Sequence, residues 1–239
     1  MKIIIVDNRI SAACERSLIR EGFHLLKLPA DHLLGEAVAS HPDTVMFYHD
    51  GELITTADYC DTAAYIFSDL REYCPDIKIR FTDDKRSKEY PKDCIMNALV
   101  IGQYLFCKSD NVSSAIRELA IRSGLEICHV NQGYPACTTL AFGNSAITAD
   151  NGMAEELEKR GIRVTLIDQG RIALPPYEYG FIGGASAVYG KKIYFFGDIN
   201  RHKDADKILK TISDEGYTAV SLSDEELTDL GGIIFTKGF

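Results

Sequence analysis

Short apolar runs recur along the chain, each meeting a single aspartate and then a stretch of helical periodicity. The runs close at Ile5-Val6-Asp7, Thr56-Ala57-Asp58, Lys108-Ser109-Asp110, Thr148-Ala149-Asp150 and Phe196-Gly197-Asp198. A spacing of roughly 40 to 52 residues marks an internal repeat. The fourth unit shows the pattern most plainly. Thr138 to Phe142 reads as a buried strand, Gly143-Asn144 as a tight turn and Ser145 to Ala149 as the hairpin partner. From Asn151 to Arg160, strong helix formers set Met153, Ala154 and Leu157 on one face and Glu155, Glu156, Lys159 and Arg160 on the other. Gly161 stops that helix, and Ile162 to Ile167 alternates as a third strand, so the unit is β-β-α-β.

The second, third and fifth units repeat this grammar, with leading strands at Thr44 to Tyr48, Ala98 to Ile101 and Ala187 to Tyr189. Their helices run to about Arg71, from Val112 to Arg122 and from Asp204 to Ser213. The first unit has Ile3 to Val6, a helix around Ala12 to Arg20 and a strand at His24 to Leu28, but no leading strand. Gly231 to Thr236, an apolar run with no helix after it, fits that vacancy beside Ile3 to Val6. The expectation is an α/β fold, a five-bladed ββαβ propeller closed by pairing the N- and C-terminal strands, which leaves no long exposed edge. One domain over residues 1–239 is predicted, with units near 1–35 plus 230–239, 43–83, 97–131, 138–168 and 185–223. A doubly wound sheet would instead leave the termini unpaired.

Composition narrows the function classes. The chain has 239 residues, 46% of them apolar, enough for a sizeable core. No run approaches the roughly 18 to 20 apolar residues of a membrane span, and an acid at Asp7 comes too early for a signal peptide, so a cytoplasmic protein without membrane contact is expected. Seven scattered cysteines with no CxxC pair suit reduced thiols better than a disulfide framework or a zinc knuckle, and neither a metal nor a cofactor is expected. A net charge of −9 argues against nucleic acid and suits a small polar or cationic partner; it does not speak to a protein partner or to oligomeric state.

The run Gly180-Phe181-Ile182-Gly183-Gly184-Ala185-Ser186-Ala187-Val188-Tyr189-Gly190 and the terminal Gly231-Gly232, on five repeated units, resemble the penteins, or guanidino-group-modifying fold. The resemblance covers essentially the whole chain and points to an uncharacterised bacterial branch. It implies a fold shared with arginine and agmatine deiminases, dimethylarginine hydrolases, amidinotransferases and a non-catalytic ribosome anti-association factor. Catalytic relatives place a cysteine after the C-terminal glycine-rich turn and a histidine at the start of a leading strand, for thiolate attack on the guanidino carbon. Here Gly231-Gly232 is followed by Ile233 to Thr236, and Phe181 to Ser186 holds no histidine. The branch therefore lacks the usual C-terminal nucleophile.

Aligning the hairpin glycines Gly102, Gly143 and Gly190 brings Cys94, Cys137 and Gly184 to the starts of leading strands, with His41 in the matching part of the second unit. In the family that end faces the central channel. Cys137 is the preferred functional thiol and Cys94 the second; the alternative is that both are small buried apolar residues. His129 and His202 are the candidate catalytic imidazoles, the latter one helical turn from Asp198. The strand-end aspartates are read as helix caps. Gln132 and Tyr134 lead into Cys137, and Tyr177, Glu178 and Tyr179 form a loop suited to stacking on and pairing with a planar cation. The glycines Gly180 to Gly184 precede a strand instead of opening a helix, which excludes a dinucleotide loop. Two readings remain: a non-catalytic or diverged binding protein for a small, guanidino-type molecule, or a hydrolase or transferase with Cys137 as a relocated nucleophile.

Overall fold

The computed structural model describes residues 2–236; Met1 and residues 237–239, at the two ends of the first predicted unit, lie outside them. In chain order, the first unit supplies β1 (Lys2–Asp7), α1 (Ala12–Arg20) and β2 (Phe23–Leu28). The second contains α2 (Pro42–Val45), β3 (Met46–His49), β4 (Glu52–Thr56), α3 (Ala64–Tyr73) and β5 (Lys78–Thr82). The third has β6 (Leu99–Ile101), β7 (Tyr104–Cys107), α4 (Ser114–Arg122) and β8 (Glu126–His129). The fourth runs α5 (Pro135–Thr138), β9 (Thr139–Phe142), β10 (Ser145–Thr148), α6 (Asn151–Glu158), β11 (Arg163–Leu166) and β12 (Ile172–Ala173). The fifth has β13 (Ser186–Tyr189), β14 (Lys192–Phe195), α7 (Ala205–Asp214), β15 (Thr218–Ser221) and β16 (Leu227–Thr228), and β17 (Ile234–Phe235) returns to the first.

The fold is mixed α/β. Five three-stranded sheets share one plan, in which the middle strand pairs antiparallel with one neighbour and parallel with the other. The C-terminal strand completes the first sheet, with Ile4 opposite Phe235 and Ile5 opposite Ile234. The Asp50-Gly51 hairpin has positive φ at both turn residues, 48° and 76°, as a type I′ turn demands.

Two lead-ins differ from the expected strands. Thr44 and Val45 belong to α2 and Thr138 to α5, because Pro42 and Pro135 open single helical turns just before β3 and β9. A short parallel pair, β12 with β16, was not legible in the pattern. Capping holds for Asp150, which accepts from the Met153 N–H at 2.8 Å, and for Asp198, which accepts from Asn200 at 3.0 Å. It fails for Asp7, because Ser11 caps α1, and for Asp110, because Ser113 caps α4.

Buried side chains join neighbouring sheets in pairs. Ile3, Ile5 and Leu26 pack with Met46, Leu53 and Phe67; Phe47 and Ile54 with Leu105 and Ile116; Phe106 and Cys128 with Ala146 and Met153. Leu140 and Ile147 then pack with Ile193 and Phe195, and Tyr194 and Phe196 with Ile4 and Val6. Among the described residues no helix is long and apolar enough to cross a membrane.

Candidate functional site

The segments leading into the five sheets meet. Asp43 donates its N–H to the Gly231 carbonyl at 3.3 Å, Gly232 donates to Gly184 at 2.9 Å, and Gly184 donates to Cys137 at 2.9 Å. The buried Asn97 side chain completes the circuit: its Oδ1 accepts from the Ala136 N–H at 2.8 Å, and its Nδ2 donates to the Asp43 carbonyl at 3.1 Å. Close approach of this kind requires glycine. A Cβ at Gly183 would overlap the Ala136 carbonyl oxygen, and one at Gly184 would overlap the Asp229 carboxylate.

A cavity of about 460 Å³ opens above this junction. Cys137, His41 and Asp229 form its buried floor, with Asp93, Tyr90, Tyr134 and Phe181 on the walls and Tyr177, Glu178 and Tyr179 toward solvent. Cys137 Sγ donates to Asp43 Oδ2 at 2.7 Å and accepts from Asn97 Nδ2 at 3.3 Å. Asp229, 1% exposed, accepts from the backbone N–H groups of Phe181 at 2.9 Å and Gly231 at 3.1 Å. His41, fully buried, donates from Nε2 to the Asp229 carbonyl at 3.2 Å, with Asp7 Oδ2 and Asp229 Oδ1 each 3.8 Å away. Its Nδ1 and the Asp43 Oδ1 have no hydrogen-bond partner among the described residues.

Burial sets the charge states here. Loss of water raises the Asp43 carboxyl to about 6 against the Cys137 bond that lowers it, and raises Asp229 to about 7, with the Asp43 charge adding to the rise. Desolvation pushes His41 down to about 4, so its imidazole is neutral at pH 7. The Cys137 thiol is pushed well up by burial and by the Asp43 and Asp229 charges, which keeps it protonated. Burial would raise Asp7 too, but the Arg9 guanidinium, bonded at 2.6 Å, outweighs it and holds Asp7 below the usual carboxylate range. Among the described residues no group of three or more His, Cys, Asp or Glu side chains is placed to hold a metal.

The other predicted residues lie nearby or apart. Gln132 braces the lead-in to Cys137, donating to Asp150 at 2.7 Å and accepting from the Tyr134 N–H at 3.1 Å. Tyr134 donates its hydroxyl to Asp93. Cys94 is buried, its Sγ directed to the Pro91 carbonyl at 3.1 Å, and burial raises it to about 12. His129 is exposed, bonded to Ser109 at 2.9 Å, and faces a second cavity of about 540 Å³ that shares Tyr90 and Tyr134 with the first. His202 is buried and accepts the Asp204 N–H at 3.1 Å, while Asp198 caps its own turn; neither lines the Cys137 cavity. Asp43, Asp93, Asn97 and Asp229 carry no signal in the hydrophobic pattern, and Asp7, which the pattern marks as a cap, stands at the site instead. Asp43 and Asn97 lie close to the positions that the hairpin alignment gives to His41 and Cys94, in the lead-ins of the second and third units, and Asp229 stands two residues before Gly231.

Solved structures share this architecture. An inosamine-phosphate amidinotransferase from Streptomyces griseus matches over 99% of this chain and 94% of its own, with 12% identity and a TM-score of 0.61. A dimethylarginine dimethylaminohydrolase matches over 93% and 92%, with 12% identity and a TM-score of 0.57. An agmatine deiminase from C. jejuni matches over 93% and 87%, with 8% identity and a TM-score of 0.57. All are penteins, and at such identities they establish the fold alone. No curated protein matches the chain in sequence. The family model of DUF6873, a family of unknown function, matches residues 5–234, and the chain belongs to that family.

Proposed function

We propose that this is a cytoplasmic binding protein of one domain, its five sheets standing as blades around the cavity, which holds a small guanidinium- or amidinium-bearing cation without converting it. The observation that carries this reading is Asp229: a carboxylate on the floor of a ligand-sized cavity, 1% exposed, fixed by two backbone N–H groups, with the neutral His41 imidazole 3.8 Å away and no Lys or Arg ion-pair partner among the described residues. Burying such a group without a counter-charge is unfavourable, and an incoming planar cation relieves that cost while the tyrosine walls stack on it. Pentein relatives whose names include agmatine and dimethylarginine support the guanidino class. The protonated state of Cys137, and a described cavity lining that includes neither His129 nor His202, favour binding over turnover.

A second reading is favoured by one contact. Cys137 Sγ lines the same cavity and already points its proton at Asp43 Oδ2, which at about 6 can receive it once a bound cation draws the thiol toward thiolate.

Calorimetric titration with methylguanidine in two buffers of different ionisation enthalpy tests both. Saturable binding with proton release near pH 7, lost in Asp229→Asn, is the expected result. No saturation at roughly 10 mM, a binding free energy weaker than about 3 kcal/mol, overturns the proposal. An intact-mass increase confined to Cys137 with amidine compounds favours the second reading.

A further inference from the structure

The strands that lead away from the junction enclose a third cavity, of about 380 Å³, which shares no described lining residue with the other two. We infer that it is a separate site for a small lipophilic primary amine, its hydrocarbon body between the strands and its ammonium on Asp43 Oδ1. Met46 and Phe47 of β3, Val100 of β6, Val188 of β13 and Phe235 of β17 supply the apolar walls. Val100, Val188 and Phe235 are only half-buried, so they keep apolar surface that the fold itself does not cover. Asp43 precedes β3 and is tied to the junction by its N–H on the Gly231 carbonyl, which puts it at the junction end, with the strand residues running away from it.

Among the described residues Asp43 is the only charged group in this lining. Its Oδ2 accepts from Cys137 Sγ at 2.7 Å, whereas its buried Oδ1 has no hydrogen-bond partner among the described residues. A buried carboxylate oxygen without a donor is unfavourable, and no lysine or arginine of the described lining offsets it. An ammonium supplies both the donor and the charge, and the apolar walls select what is attached to it. A carboxylate or phosphate ligand would meet an acid with no cation to receive it, and a polyol would exchange its water for hydrocarbon. The hydrogen bond between Cys137 and Asp43 runs from the lining of the first cavity to the lining of this one, so the two sites are neighbours with separate entrances and separate chemistry.

The methionines locate the ligand. Met46 and Met96 line this cavity, while Met153 is fully buried in the fourth unit and does not. Protein carrying methyl-labelled methionine is titrated with phenethylamine at pH 8, where Asp43, with its value near 6, is ionised. The Met46 and Met96 methyl resonances shift saturably and Met153 stays in place. Phenethyl alcohol, with the same body and no charge, binds at least about fivefold more weakly in the parent. In Asp43→Asn that ratio falls toward one, with an unmoved Met153 resonance reporting an intact fold. No shift of Met46 and Met96 by roughly 10 mM phenethylamine, or equal affinity for the alcohol in the parent, overturns the inference. Neither result bears on the first cavity, which is read separately through methylguanidine and Asp229→Asn.

Discussion

Cys137 Sγ donates its proton to Asp43 Oδ2 across 2.7 Å, and Asp43 Oδ1 is left without a partner among the described residues. Raising a carboxyl on folding has a definite sign. Between its ordinary value near 3.8 and its folded value near 6, the native Asp43 holds a proton that the unfolded chain has released, so its contribution to stability falls as pH rises through that window and is level above it. Asp229 behaves alike up to about 7. His41, pushed down to about 4, acts in the opposite sense: between 4 and 6.5 the unfolded chain binds the extra proton, and stability is lost as pH falls. The two slopes overlap, so the difference between parent and variant is read: it reports Asp43 together with the part of the Asp229 rise that the Asp43 charge supplies. Asp43→Asn keeps an acceptor for Cys137 and removes the charge. Urea unfolding from pH 4 to 8 is expected to show the variant gaining about 2 kcal/mol over the parent by pH 8, with the gain developing between 4 and 6. Parallel profiles would assign Asp43 an ordinary carboxyl. His41, Cys137, Tyr134 and the loop Tyr177-Glu178-Tyr179 were legible because strand-start position and ligand-suited side chains are local properties. Asp43 and Asp229 were not, because each has an unremarkable neighbourhood in sequence and acquires its meaning only when segments 186 positions apart converge.

Elements show the same division between local and tertiary causes. Helix α1 falls where the apolar spacing puts it, and α4 and α7 end where Gly124 and Gly216 follow with positive φ. The strand-end aspartates look alike in sequence, yet Asp150 and Asp198 cap while Asp58 turns to the Arg86 guanidinium. That arginine decides how three connections sit together. Its side chain is fully buried in the segment after β5, with Nη2 2.7 Å from Asp31 in the loop after β2 and 3.2 Å from Asp58 in the turn after β4. The guanidinium lies over the Tyr59 ring at 5.4 Å. Tyr90 and Asp93, farther along the Arg86 segment, line the cavity, so the clasp supports one of its walls. Removing one member of a buried ion pair strands the other, at a cost of about 3 to 5 kcal/mol. Arg86→Met is expected to lose that much in urea unfolding, and Arg86→Met with Asp31→Asn to recover a large part, because the charge left without the arginine is then that of Asp58, which is partly exposed to water, and no longer that of the buried Asp31. A loss under about 1 kcal/mol in the single variant would show that the clasp is replaceable.

Across the molecule, the pairing of β1 with β17 joins the first and last described strands within one sheet, but among the described residues no backbone ladder joins one three-stranded sheet to the next. Cohesion between sheets comes from the five apolar interfaces and from the circuit of hydrogen bonds among Asp43, Gly231, Gly184, Cys137 and Asn97. The apolar interfaces are distributed over many side chains, so no single one is critical. In the circuit, by contrast, Asn97 alone supplies two of the links with its side chain, and it is 1% exposed. Asn97→Ala leaves the Ala136 N–H and the Asp43 carbonyl without that partner, at about 1 to 3 kcal/mol for each buried group left unsatisfied. The same change releases the turns that carry Cys137 and Asp43, while the apolar interfaces remain. The variant is therefore expected to stay folded, with lowered stability, and to expose its site locally. Mass-resolved iodoacetamide labelling of native protein should then show Cys137 modified at least about tenfold faster than in the parent, with Cys107, buried in the third unit, unchanged; a tenfold rise corresponds to local opening made easier by about 1.4 kcal/mol. Equal acceleration at both thiols would mean that the circuit and the core open together, and that the junction is part of the global fold instead of a locally adjustable floor beneath the cavity.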